Sequence, residues 1–146
     1  MTAYYNKPTA TTKLMNGALM RLASIGFTPR NIVAVQVRGR KSGKLRSNVV
    51  TWVEVDGERY LVAPRGTTEW VRNVRAAAGE AAIKHGRSEP VRLIEVPEAA
   101  RAPIIHAYVQ KQPGMVRREF GVQGDEPMPE FERIAPRHPV FRIEPR

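Results

Sequence analysis

The sequence contains no cysteine, which excludes a disulfide framework, zinc held by cysteine, and catalysis by a thiol. It has no run of the roughly 18 apolar residues that a membrane-spanning helix requires. The first twelve residues lack the apolar core of an export signal, and we expect them to form a loose arm. These absences predict a cytoplasmic protein, since a chain without disulfides fits a reducing compartment.

The chain is also short of acid–base and metal-binding patterns. Its histidines, His85, His106 and His138, lack the spacing of metal ligands, so we predict no metal site. No pair of carboxylates indicates a glycosidase-like couple, and Ser42 does not lie in a nucleophile elbow. Such a composition fits an enzyme whose cofactor carries out the difficult chemistry.

Acidic residues are outnumbered by basic ones. The chain has 24 Lys and Arg against 14 Asp and Glu, a formal net charge of +10. Such a surface attracts nucleic acid, anionic lipid or a small polyanion. The charge is densest in residues 37–49, VRGRKSGKLRSNV, where Gly39 and Gly43 would let backbone N–H groups approach an anion closely. From the residues alone, this stretch is either an anion cradle or a solvated hairpin turn.

The length, 146 residues, predicts a single domain, 1–146. Alternating or β-branched segments predict strands, and Asp56-Gly57 predicts a two-residue hairpin turn, because both positions tolerate positive φ. The predicted strands are Asn31–Val37, Ser47–Val55, Glu58–Ala63, Glu80–Lys84, Pro90–Val96 and Val140–Ile143. We therefore expect an α+β, mainly β, fold in which helices pack on an antiparallel sheet or barrel.

Apolar residues at helical spacing predict three helices. They cover residues 12–26, from Thr67 or Thr68 to about Ala78, and from about Pro97 to Lys111. The first helix either covers the core or lies on a membrane surface. Residues 112–139 are rich in proline and glycine and show little periodicity, so we predict a loop region there.

Further groups that suit an anionic, flat ligand follow the third strand. Arg65 directly precedes the predicted start of a helix, where free N–H groups favour anions. Trp70 and Asn73 are three residues apart and so share one face of that helix. Trp70 either stacks on a flat ring or fills the core. If the strands are neighbours, this segment and the basic loop flank one cleft.

Four segments, in this order, resemble the deazaflavin-dependent nitroreductase family of actinobacteria. They are Gly39-Arg40-Lys41-Ser42-Gly43, Arg46-Ser47-Asn48, Val62-Ala63-Pro64-Arg65-Gly66 and Trp70-Val71-Arg72-Asn73-Val74-Arg75-Ala76. Members of this family are reductases that use coenzyme F-420 and share a split β-barrel related to FMN-binding flavoproteins. The resemblance implies a split β-barrel of about six mostly antiparallel strands with flanking helices, and F-420 as the cofactor.

The resemblance also implies a set of cofactor-binding residues. The phosphodiester and the oligoglutamate tail of F-420 would be held by Arg40, Lys41, Ser42 and Arg46. The deazaflavin would lie along Ser47, Asn48, Val49, Val50 and Thr51, largely through their backbone. The pocket would be continued by Val62, Ala63, Pro64 and Arg65 and closed by Trp70, Val71 and Asn73.

By the same resemblance, the reaction is hydride transfer from the reduced deazaflavin to an activated alkene, a quinone or a nitro compound. Tyr108 is the candidate for supplying a proton, and residues 112–139 would shape the substrate side. The chain departs from the family pattern at Val49, where proline is common, and at Thr51, where tyrosine is common. These departures bear on the choice of substrate more than on the cofactor.

Alternatives remain at this point. One is an FMN-dependent oxidoreductase on the same barrel, although the surplus of basic groups favours a longer anionic tail. Another is a nucleic-acid-binding protein, which the charge favours but which lacks an aromatic–basic repeat for stacking bases. Related barrels commonly form homodimers, and a peripheral membrane contact through the first helix is compatible with any of these functions.

Overall fold

The structure of the protein, a computed structural model, describes residues 10–146. The predicted arm lies outside this range except for its last three residues, which begin helix α1. The helices are α1 (Ala10–Ser24), α2 (Glu69–Ala76), α3 (Ala102–Gln110), α4 (Gly114–Phe120) and α5 (Met128–Ile134). The strands are β1 (Ile32–Arg38), β2 (Leu45–Val55), β3 (Glu58–Val62), β4 (Glu80–His85), β5 (Arg87–Glu95) and β6 (Val140–Pro145).

The strands close into an antiparallel barrel in the order β1-β2-β3-β6-β5-β4. This confirms the predicted split barrel with flanking helices. The hairpin between β2 and β3 is also confirmed: Asp56 and Gly57 have φ of 51° and 81°, and Val55 pairs with Glu58. Both turn residues therefore adopt the positive φ that a tight, twist-compatible hairpin requires.

Two buried clusters lie on opposite sides of the barrel wall. The interior is filled by alternate strand residues such as Val33, Val35 and Val37 of β1. Helix α2 belongs to this interior cluster through its buried apolar residues Trp70, Val71 and Val74. The second cluster packs α3, α4 and α5 against the outside of the wall; its members include Val53, Val62, Ile105, Phe120, Phe131 and Val140. Because strand residues alternate between faces, the two clusters share the same strands.

The first predicted helix is present as α1 and contacts β1, β2 and β4. Ala23 is its fully buried residue among those whose side chains are described. Leu14 and Leu22, together with Ile25 and Phe27 just beyond the helix, are exposed. The helix therefore covers part of the barrel and also presents an apolar surface. Helices within residues 10–146 are too short or too polar to span a lipid bilayer.

The prediction of a loop region over residues 112–139 was wrong, because α4 and α5 lie within it. Pro113 and Pro127 immediately precede these helices, and Gly121 ends α4 in the left-handed conformation at φ 70°. Each helix has only seven residues, too few for a visible period, and is stabilised by burying Phe120 or Phe131. Proline here marks a helix start, not a loop.

The predicted helix from Pro97 to Lys111 is interrupted. A 3-10 turn over Glu98–Ala100 precedes α3, whose first turn contains Pro103. Between them the buried Arg101 donates to the carbonyl oxygens of Val96 (2.9 Å) and Ala135 (3.2 Å) and to Glu95 Oε2 (3.0 Å). Arg75 of α2 binds the same Glu95 carboxylate with two hydrogen bonds. Glu95 thus connects the barrel wall to α2 and, through Arg101, to the outer helices.

Candidate functional site

The basic stretch forms an ordered loop between β1 and β2. Gly39 N–H donates to the Lys44 carbonyl at 2.7 Å, and Gly43 N–H donates to the Gly39 carbonyl at 2.9 Å. The Lys44 N–H donates to Ser42 Oγ at 3.2 Å. A Cβ at Gly39 would lie 3.0 Å from Ser42 Oγ and 3.2 Å from the Lys44 oxygen, so the tight loop favours glycine there. Ser42 therefore helps to close the loop.

Helix α2 holds this loop through Arg40. Asn73 Oδ1 accepts the backbone N–H of Arg40 at 3.1 Å and Nη1 of the same residue at 2.8 Å. Nη1 also donates to Glu69 Oε2 at 2.8 Å. Asn73 is buried, so its two hydrogen bonds with Arg40 are partly shielded from water and fix the loop relative to the helix.

Arg38 donates a hydrogen bond to the Gly43 carbonyl, whereas the other three cations of the loop face solvent. Lys41, Lys44 and Arg46 are exposed, and their side chains form no hydrogen bond or ion pair with the residues 10–146 that the structure describes. Lys41 lies close enough to Glu69 to help lower the pKa of that carboxyl, although the hydrogen bond from Arg40 is the main cause. The loop therefore keeps positive charge available to an external anion.

Beyond the loop, one edge of β2 has no strand beside it in the described structure. Residues 45–51 pair with β1 on one side, whereas β3 pairs only with residues 52–55. The Trp52 N–H donates to the Asn31 carbonyl, on the β1 side. Because backbone groups alternate sides along an antiparallel strand, Val50 and Asn48 also bond toward β1. Ser47, Val49 and Thr51 therefore direct their N–H and C=O groups to the open edge.

Several predicted site residues are buried instead of exposed to a cleft. Val50, Val62, Ala63, Trp70 and Val71 all belong to the buried clusters or the barrel interior. The Trp70 ring packs against Phe141 with centroids 5.8 Å apart. This position matches the core role that the sequence left open for Trp70. Trp70 and Val71 anchor α2 in the barrel interior, and α2 also carries Asn73.

Arg65 and Pro64 lie half-buried in the turn after β3. Arg65 Nε is 3.7 Å from Glu119 Oε1 of α4. Sequence pattern contains no signal for this pair, since the two residues are far apart in the chain and α4 was not predicted. The ion pair connects the segment beside the open edge to the region predicted to form the substrate side.

A model of the F420H(2)-dependent quinone reductase family matches residues 12–128. The chain belongs to this family. It is accordingly a reductase that depends on coenzyme F-420, which confirms the cofactor and the class of enzyme expected from the resemblance. No curated protein sequence matches the chain significantly.

Solved structures share the fold of this F-420-dependent reductase at low identity. A structure described as a domain-swapped dimer is 21% identical, with TM-score 0.57, and covers 92% of this chain and 93% of its own. An F420-H2 dependent reductase is 24% identical, with TM-score 0.52; the match covers 79% of this chain and 95% of that one. A conserved hypothetical protein from Mycobacterium tuberculosis is 15% identical, with TM-score 0.50, over 100% and 85%.

Tyr108 of the reductase lies at the far end of the open edge. Its side chain is buried, its ring packs against Phe120, and its hydroxyl forms a hydrogen bond with the Thr51 side chain. Burial raises the pKa of Tyr108 far above that of an ordinary phenol, and the contact with Thr51 offsets this only in part. The phenol therefore keeps its proton at neutral pH.

His138 is a buried residue whose role the sequence did not reveal. Its Nδ1 lies 2.9 Å from the carbonyl oxygen of Ala63, and its ring packs on Phe120 with centroids 4.4 Å apart. Burial lowers its pKa to about 4, the hydrogen bond to Ala63 opposes this shift, and Arg137 and Arg101 add to it. Neutral His138 donates to Ala63 and so fixes the end of β3.

Other features of the reductase lie away from the basic loop. One cleft of about 290 Å³ is lined by Gln110, Arg117, Gln123, Gly124 and Asp125. Another of about 280 Å³ is lined by Arg30, Asn31, Trp52, Val53, Glu54 and Lys111. Within the described residues, no group of three or more His, Asp or Glu side chains is placed to hold a metal ion.

Because alternate N–H groups of residues 47–51 face the open edge, we expect proline to be tolerated at alternate positions of this part of β2. Val49→Pro should change the free energy of unfolding by no more than about 1 kcal/mol, because the Val49 N–H faces the open edge. Asn48→Pro should cost about 3 kcal/mol, because its N–H pairs with β1. Urea unfolding of both variants measures this difference, and equal losses would contradict the assignment of the two edges.

Because the pKa of His138 is lowered in the folded protein, we expect the free energy of unfolding to fall as the pH is lowered. The unfolded chain takes up a proton near pH 6.5, whereas the folded protein does so only near pH 4, so acid favours unfolding within this window. The free energy of unfolding should fall by about 2 kcal/mol between pH 7 and pH 5. His138→Gln should flatten this slope, and His106→Gln is the control that should keep it. A slope unchanged by His138→Gln would show that other groups cause it.

Proposed function

We propose that this reductase binds F-420 along the open edge of β2 and transfers a hydride from the reduced deazaflavin to an electrophilic acceptor. Quinones are the first acceptor class to test, since they give the matched family its description. Activated alkenes and nitro compounds are further candidates. The observation that carries the proposal is the row of backbone groups at Ser47, Val49 and Thr51 that have no neighbouring strand within residues 10–146. This row directly follows a loop with exposed cations.

The ring end of the cofactor fits this edge. A deazaflavin presents hydrogen-bond donors and acceptors in its own plane, as a neighbouring strand does. The backbone groups of Ser47, Val49 and Thr51 need such partners, because exposed edge groups otherwise bond only to water. Recognition through backbone explains how this chain retains the site with Val49 in place of the proline that is common in the family: proline there would remove one donor and leave the carbonyl groups.

The anionic end of the cofactor fits the basic loop. Lys41, Lys44 and Arg46 are exposed and can pair with a phosphodiester and with tail carboxylates. Arg40 lies deeper and is oriented by Asn73. Near Glu69, the buried Thr68 Oγ1 has no hydrogen-bond partner within residues 10–146. A buried hydroxyl without a partner is unusual, and a ligand at the start of α2 could supply one.

Reduced F-420, when bound, supplies the hydride; the protein orients the reactants and excludes water. Tyr108 and Thr51 lie at the end of the edge opposite to the basic loop, and their hydrogen-bonded hydroxyls hold a proton away from solvent. We keep Tyr108 as the proposed hydrogen-bond donor to the acceptor. Its raised pKa makes it a weak acid, so it acts by donating a hydrogen bond more readily than by losing the proton.

A homodimer is a further part of the proposal. It is supported by the structural relative described as a domain-swapped dimer and by the exposed apolar side chains of Leu22, Ile25 and Phe27. The alternative use of this surface is a peripheral contact with a membrane, where lipid-soluble quinones reside.

Cofactor binding tests the proposed site. F-420 should bind with micromolar or tighter affinity, and this affinity should fall as salt is added. F-420 should also bind more tightly than FMN, whose single phosphate uses fewer of the loop cations. Lys41→Ala should lower the affinity for F-420 about fivefold or more, because it removes one charge contact. Lys111→Ala, a lysine in the cleft beside Trp52, is the matched control. Fluorescence titration gives the affinities; equal losses in the two variants would point to diffuse charge.

Hydride transfer is tested by mixing the protein with reduced F-420 and a panel of quinones, enones and nitro compounds. We expect protein-dependent oxidation of the cofactor, followed by its absorbance, with the highest kcat/KM for a quinone. Tyr108→Phe should lower kcat about tenfold or more, with little change in F-420 affinity, because it removes one donor. If F-420 binds but none of these acceptors oxidises it, the proposed cofactor site would stand and the proposed reaction would be refuted.

A further inference from the structure

Arg40, the deepest cation of the basic loop, is already occupied by an acid of the protein itself. Its Nη1 donates to Glu69 Oε2 at 2.8 Å. Residues 37–49 contain no acid of their own. The carboxylate that pairs with Arg40 belongs instead to Glu69, the first residue of α2. The Glu69 side chain is 56% exposed, against 21% for Arg40. The carboxylate therefore lies on the solvent side of the guanidinium, where an incoming anion would approach.

Asn73 and Glu69 hold Arg40 in different ways. Asn73 is buried and accepts from both the backbone and Nη1 of Arg40, so it fixes the residue whether or not a ligand is present. Glu69 touches only the guanidinium, and exposed ion pairs of this kind are weak because water competes with them. Of these two contacts, the one with Glu69 is the one that a stronger anion can replace.

We propose that Glu69 is a built-in competing anion, which occupies Arg40 in the ligand-free protein and is displaced by the phosphate or a tail carboxylate of the cofactor. Asn73 is then a positioning residue that keeps Arg40 in place during the exchange. The inference rests on the proposed function, because it takes the cofactor as the displacing anion. Its consequence is that Glu69 weakens cofactor binding and so favours release of the cofactor after each turnover.

The test is a double-mutant cycle of F-420 binding, using Glu69→Gln, Arg40→Ala and the double variant. Glu69→Gln keeps the size of the side chain and removes its charge. It should tighten F-420 binding about two- to fivefold in the wild-type background. In the Arg40→Ala background it should have less than half of this effect, because no guanidinium remains to be freed. Glu130→Gln is the matched control, since Glu130 forms an exposed pair with Arg133 away from the loop.

Asn73→Asp provides a change in the opposite direction. It keeps the acceptor oxygen for Arg40 but adds a second negative charge, so F-420 should bind more weakly than to the wild type. Circular dichroism and urea unfolding of each variant would establish that it is folded.

A second readout follows the carboxyl group itself. The pKa of Glu69 lies below its ordinary value in the ligand-free protein, mainly because of the hydrogen bond from Arg40. If the cofactor takes over Arg40, NMR titration of the Glu69 carboxyl should show this pKa rising toward 4.5 on saturation with F-420.

The outcomes separate the two proposals. Weaker or unchanged F-420 binding in Glu69→Gln, with normal binding by the wild type, would overturn the role of Glu69 and leave the cofactor site intact. An equal gain with and without Arg40 would indicate general electrostatics and would also overturn it. Failure of the wild type to bind F-420 at all would refute the proposed function, and this inference with it.

Discussion

The unequal pairing of β2 is the constraint on which the rest of this structure depends. β2 has 11 residues, whereas β3 has five. The tight turn at Asp56-Gly57 fixes the register, so β3 can cover only residues 52–55 of its neighbour. In the part of the chain that the structure describes, the first half of β2 therefore has no strand beside it on that side, and the barrel is split at this point. An exposed strand edge is a site for another molecule, because its backbone groups seek partners.

Helix α2 holds the basic loop in place beside this split. It is anchored in the barrel interior by Trp70, Val71 and Val74, and its buried Asn73 reaches the backbone of the basic loop. Glu95 ties the far end of the same helix to the wall through Arg75. The residues that most resemble the family motif in this helix therefore support the loop from behind.

Local pattern predicted the strands, the hairpin and the basic loop, because each depends on neighbouring residues. It did not predict α4 and α5, whose stability comes from burying Phe120 and Phe131 under the outer wall. It also gave no sign of the contacts made by Arg101 and His138, which join residues 34 and 75 positions apart. The open edge was equally hidden, since it depends on where β3 ends relative to β2. Pairings of this kind exist only in the folded chain.

The charges of the site can be understood from the same geometry. A net charge of +10 attracts polyanions over a long range, but such attraction does not by itself select a ligand. Selection requires that cations lie at a fixed distance from groups that recognise a ring. Under the proposed function, the loop supplies the cations, and the open edge of β2, which directly follows the loop, supplies in-plane hydrogen bonds. Under the proposed function, the distance between the tail and the ring of the cofactor is matched by the distance along β2 from the loop cations to the open edge. The hydrogen-bonded hydroxyls of Thr51 and Tyr108 mark the end at which the acceptor meets the ring.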